Sequence, residues 1–106
     1  MTRVRANDGM LYRHALGEIL REERLAQGLT LRMVSKQASI ALGYLSELEH
    51  GYKEASSEIL KVVANNGLGL PEHELVLRAG LRMSGVEIPD TAEELVSEYT
   101  DLIRQN

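Results

Sequence analysis

The chain has no cysteine, which excludes disulfide frameworks and thiolate metal sites and fits a reducing cytoplasm. Proline is limited to Pro71 and Pro89, and no alternating strand pattern occurs. With helix formers abundant, an all-α fold is the base expectation. No apolar run approaches the roughly 18 residues a membrane span needs, and the N-terminus lacks the apolar stretch of a signal peptide, so no membrane partner is expected. Catalytic signatures are missing as well. His14, His50 and His73 are dispersed without metal-ligand spacing, and no G-x-S-x-G, P-loop or dinucleotide fingerprint is present. Gly67-Leu68-Gly69 is a helix stop and turn, too short to cradle a phosphate. The many Asp and Glu residues sit on solvated faces, where pKa values are rarely tuned. Neither a metal, a cofactor nor an enzyme activity is expected.

Cations are also in short supply. The 106 residues suit one domain with a modest core and carry a formal net charge of −4. That balance argues at first against nucleic acid, because phosphate binding needs Lys and Arg. Its distribution softens the objection. Residues 1–57 hold eight Lys/Arg against seven Asp/Glu, whereas residues 58–106 hold four against nine. Any DNA-facing surface must therefore lie in the N-terminal half.

What is present there is the run Thr30 to Gly51, TLRMVSKQASIALGYLSELEHG. Leu31, Val34 and Ala38 recur at helical spacing in its first half, and Leu45 and Leu48 in its second. Ser39-Ile40-Ala41 between them is too short for a loop of its own. Two helices joined so tightly, with Ile40 plugging the angle, have the geometry of a helix-turn-helix, and Gly51 stops the second helix. Upstream, Leu11, Ala15, Ile19, Leu16 and Leu20 mark an amphipathic helix from Met10 to Gln27, ended by Gly28. The charges on its polar face, Glu18 and Glu22 with arginines three or four residues away, read as solvated dressing. Downstream, Ser56 or Ser57 caps a fourth helix that Gly67 ends. A fifth starts at Pro71 and stops at Gly80. Leu81 to Pro89 reads as a linker, and a sixth helix follows from Asp90.

The segments Ala38-Ser39-Ile40, Tyr44-Leu45-Ser46 and Leu48-Glu49-His50-Gly51 make this run resemble the phage-repressor (Cro and CI, or XRE) type of helix-turn-helix domain. The resemblance covers about Leu11 to Ala79. Within that family, GYLSELEHGYKEASSEIL (Gly43 to Leu60) is similar to the Clp gene regulators, ClgR, of actinobacteria. It implies an all-α, five-helix DNA-binding domain over residues 10–80. Residues 1–9 lack a periodic pattern and read either as a frayed terminus or as a flexible arm whose Arg3 and Arg5 reach around a duplex. Residues 81–106 would be a linker and C-terminal helix. It further implies a homodimeric transcription regulator in the cytoplasm, associated with the nucleoid, that binds a double-stranded operator with an inverted repeat and activates protease and chaperone genes by contacting RNA polymerase. Two other readings stay open: an antitoxin that represses its own gene with the same domain, and a protein-interaction module that no longer binds DNA.

Site residues follow from the same two sources. The resemblance aligns Arg24 with the family arginine that pairs with a glutamate near the end of the recognition helix, here Glu49. On the third helix Leu42, Gly43, Ser46 and Glu47 fall on the outward side and would contact bases, with Glu47 accepting from cytosine and Leu42 against a thymine methyl. Tyr44 and His50 lie at the margins. With Thr30 (also the N-cap of the second helix), Arg32, Tyr52 and Lys53, they are expected on the DNA backbone, and Lys36 could approach it too. Three features depart from the pattern. Ala41 replaces the usual Ser or Thr cap, Gly43 costs up to about 1 kcal/mol inside a helix, and the helix has no Lys or Arg for the commonest guanine contact. Finally, Leu95, Val96, Tyr99, Leu102 and Ile103 form an apolar stripe on the sixth helix. Together with Leu75, Val76 and Leu77 of the fifth, they are the candidates for a dimer interface.

Overall fold

The structure, a computed structural model, describes residues 11–85. Arg3 and Arg5 of the expected arm lie outside the described residues, as does the expected sixth helix with Leu95, Val96, Tyr99, Leu102 and Ile103. Five helices follow in order: α1 (Tyr12–Ala26), α2 (Leu31–Ala38), α3 (Leu42–Glu49), α4 (Ser57–Val62) and α5 (Glu72–Ser84). Between the last two, the chain continues from α4 as a π-helical segment, Val63–Leu68.

The helix-turn-helix forms because its ends are satisfied locally. Thr30 Oγ1 accepts from Met33 N at 3.1 Å, and Met33 Sδ accepts in return from Thr30 N at 3.4 Å. A methionine thus completes a reciprocal cap that Glu or Gln commonly provides. Helix α2 ends with Ser39 in the left-handed conformation at φ 56°, so that Ser39 N reaches Lys36 O and Ile40 N reaches Ser35 O. These are the two bonds of a Schellman end, here built without glycine. Helix α3 then starts from Ala41 with no side-chain cap. Leu45 and Leu48 enter a core that also takes Leu16 and Ile19 from α1, Val34 from α2 and Val63 from the π-helical segment. Each such side chain contributes about 1.5–3 kcal/mol through burial.

Several helix ends differ from expectation. Gly67 does not end the fourth helix. It is buried against α2, where a Cβ would stand 2.8 Å from Val34 Cγ1, and the stop falls at Gly69. The glycine serves a close approach that the linear pattern does not reveal. Likewise α5 passes through Gly80 and ends at Gly85, so Leu81 to Ser84 are helical instead of linker. Pro71 is the N-cap and Glu72 the first helical residue.

The longer α5 packs Leu75, Ala79 and Met83 on the core and is tied to α1 by ion pairs. Arg78 donates to Glu23 at 2.9 Å and Arg82 to Glu18 at 3.1 Å, with Glu22 gripping Arg82 as well. Glu18 and Glu22, read from the sequence as solvated charges of one helix, thus tie α5 along α1. Another correction concerns Leu75. Its side chain is 0% exposed inside the domain, so it has no surface to offer a second chain, whereas Val76 is 40% exposed. No helix among the described residues is long and apolar enough to cross a membrane.

Candidate nucleic-acid interface

A single row on α1 holds α3 in place. Arg13, Gly17 and Arg24 are four and seven residues apart, hence on one face of the helix. At the centre, a Cβ on Gly17 would stand 2.5 Å from Leu48 O and 2.6 Å from Glu49 O, so only glycine lets the helices meet this closely. At one end, Arg24 Nε donates to Glu49 Oε2 at 2.7 Å and Nη2 to Oε1 at 2.9 Å, while Nη1 donates to Leu29 O at 3.0 Å. Both side chains are largely buried, and the planar guanidinium fork fits the carboxylate with two parallel bonds. The hydrogen bond to Glu49 outweighs the opposing effect of burial and raises the Arg24 guanidinium above its ordinary value, so it stays charged through the neutral and alkaline range.

At the other end, Arg13 Nε donates to Gly51 O at 2.9 Å. Gly51 caps α3 at φ +74°, a conformation that suits glycine, and the His14 ring lies directly beneath it. Gly51 N bonds Leu48 O at 3.1 Å and Tyr52 N bonds Glu47 O at 2.9 Å, which folds the following residues back beside the helix. Gly17 and Arg13 were missed as site-building residues. A glycine in mid-helix was the available signal for the first, and the second had none.

Secured from behind, α3 turns its other side outward. Gly43 is exposed, and a methyl group placed there would meet no described atom within 4 Å. Unlike Gly17 and Gly67, it answers to no packing need among the described residues. Leu42, Ser46 and Glu47 are part-exposed on the same helix. Tyr44 leans inward against the core, and its hydroxyl donates to Glu54 O at 3.4 Å. His50 Nδ1 lies 2.7 Å from Ser46 O, and since a carbonyl only accepts, this nitrogen is the donor. The His50 ring stacks on Tyr52 at 5.4 Å, and Tyr52 is 72% exposed. Lys53 Nζ stands 3.9 Å from Glu47 Oε2. Among the expected contacts, the fold therefore gathers Ser46, Glu47, His50, Tyr52 and Lys53 around the end of α3. Thr30 and Arg32 stand apart at the start of α2, both exposed, with the Thr30 oxygen already accepting its cap bond.

A helix-turn-helix whose second helix is pinned from behind and left open in front defines a DNA-binding transcription regulator of the phage-repressor type. The helix-turn-helix family model matches residues 20–66. The chain is 47% identical over 77 residues to the transcriptional regulator ClgR of Mycobacterium tuberculosis, covering 73% of this chain and 68% of that protein. It is 37% identical over 90 residues to the HTH-type transcriptional regulator DdrOP3 of Deinococcus deserti, covering 83% of this chain and 64% of the relative. Among solved structures, the clp gene regulator ClgR from Corynebacterium glutamicum superposes with a TM-score of 0.66 at 37% identity, over 90% of this chain and 89% of that one. The chain belongs to the ClgR group of helix-turn-helix regulators.

Proposed function

We propose that the protein binds an inverted-repeat operator as a homodimer and activates Clp protease and chaperone genes, with RNA polymerase as its second partner, in the nucleoid-associated pool of the cytoplasm. The observation that carries this reading is the match, over most of both chains, to a regulator described as acting on clp genes. In this reading Leu42, Gly43, Ser46 and Glu47 face base edges, and Thr30, Arg32, Tyr44, His50, Tyr52 and Lys53 position the phosphate backbone. The N-terminus of α2 suits a phosphate because first-turn backbone N–H groups of a helix have no intrahelical partner, although the Met33 N–H is already taken by Thr30 Oγ1. Residues 1–9 act as an arm and the C-terminal segment joins two copies, with Val76 and Leu77 extending its apolar stripe.

Selection of bound fragments from sheared genomic DNA, followed by transcription in vitro, tests the reading. Enrichment of sites upstream of clp genes, with raised transcript when the protein is added, is the expected result. Enrichment of the protein's own promoter with lowered transcript would favour an autorepressor instead. One feature favours a module that no longer binds DNA: α3 carries no Lys or Arg. Such a module would show no salt-dependent affinity for random duplex DNA.

A further inference from the structure

We infer that Glu47 and Lys53 exchange partners on binding. In the free protein they screen each other on the reading surface. On a duplex with cytosine beneath Glu47, the carboxylate accepts from the cytosine amino group and Lys53 turns to a phosphate. The inference rests on the DNA-reading role proposed above and adds a mechanism of specificity to it. Its starting point is an electrostatic conflict. Helix α3 has two carboxylates, and Arg24 neutralises Glu49. That leaves Glu47 as the carboxylate on the outward side, facing a polyanion that repels it. Lys53 Nζ, 3.9 Å away, is the nearby screen.

The pair is built to separate without disturbing anything else. Its distance is at the outer limit of an ion pair, and the side chains are 44% and 56% exposed, so each can swing through water. The backbone beneath cannot move as easily. Tyr52 N is bonded to Glu47 O, Gly51 N to Leu48 O, and Arg13 holds Gly51 O from α1. The stems of Glu47 and Lys53 thus keep a fixed relation while the charged ends choose partners. Cytosine is the base whose major-groove edge offers a lone donor to a carboxylate. Where no such donor lies beneath Glu47, releasing Lys53 would leave a bare carboxylate among phosphates, so Lys53 stays with Glu47 and binds no phosphate. Base reading and one phosphate contact are therefore made together or not at all.

The test compares the full-length chain on a duplex selected from a random pool and on a random-sequence duplex, titrated between about 50 and about 200 mM salt. For the wild type, the salt slope on the selected duplex should exceed that on random DNA by about one unit, the signature of one additional neutralised phosphate. Lys53→Ala should erase that difference in slope and weaken both duplexes, the selected one through the lost phosphate contact and random DNA through the Glu47 carboxylate left unscreened. Glu47→Gln, which frees Lys53, should tighten random DNA several-fold and steepen its slope. A difference in salt slope that survives Lys53→Ala, or unchanged random-DNA affinity for Glu47→Gln, would overturn the exchange. If the wild type bound neither duplex in a salt-dependent way, the DNA-reading role itself would fall and the exchange with it.

Discussion

Two glycines on neighbouring helices make opposite demands on their surroundings. Gly17 is required by the α1–α3 contact, where backbone oxygens occupy the space a methyl group would need. Gly17→Ala should therefore lower stability by about 1–3 kcal/mol through overpacking and blunt DNA affinity as α3 is displaced, a change that thermal melting and gel shift both detect. Gly43 has open space around it among the described residues. Gly43→Ala should raise stability, by up to about 1 kcal/mol, while weakening operator binding, because the groove needs the backbone close. A variant that melts lower, or that binds as tightly as wild type, would contradict this. Arg24→Ala should cost about 3 kcal/mol or more by stranding the buried Glu49 carboxylate. Arg24→Lys should recover only part of that, since one ammonium cannot make the two-bond fork and also reach Leu29 O. A melting curve for Arg24→Ala indistinguishable from wild type would refute the pair.

At the scale of elements, periodicity was enough to place the five helices of the described residues, and to set Leu45 and Leu48 inside, because burial has to repeat with the helical turn. The ends were harder to read. Gly67 and Gly80 look alike in the sequence, yet one is pressed on Val34 and the other, within a continuing helix, has open space around it among the described residues. What decides such a residue is a neighbour distant in the chain. The same reason hid the ties from Arg78 and Arg82 to α1, which depend on how α5 is laid down. At the candidate site, the outward residues of α3 and the Arg24–Glu49 partners were legible, the former from helical geometry and the latter from family resemblance. The turn between α2 and α3 supplies a further prediction. Ser39 holds φ 56° without being glycine, so Ser39→Val should cost about 1–2 kcal/mol, and Ser39→Gly should be far better tolerated. Urea denaturation of the two variants checks the order, and equal stability would show that the turn relaxes out of the left-handed region.

For the whole molecule, one helix-turn-helix reads only a few base pairs, and two copies must place their α3 helices about 34 Å apart to read adjacent turns of one duplex face. Deleting residues 87–106 should leave a folded domain, since α5 is already tied to α1 through Arg78 and Arg82. The truncated chain should dimerise weakly, lose most operator affinity and keep some nonspecific binding. Sedimentation that found the full chain monomeric at tens of micromolar, or the truncated chain a tight dimer, would reject the C-terminal interface. The row of Arg13, Gly17 and Arg24 has a consequence at this scale too. It grips α3 through backbone oxygens and the buried Glu49, and asks nothing of positions 42, 43, 46 and 47. On the proposed reading, descendants of this chain can thus change their target vocabulary one outward residue at a time while the scaffold stays the same, and a designer wishing to redirect the protein to a new promoter has Leu42, Ser46 and Glu47 to vary without repacking the core.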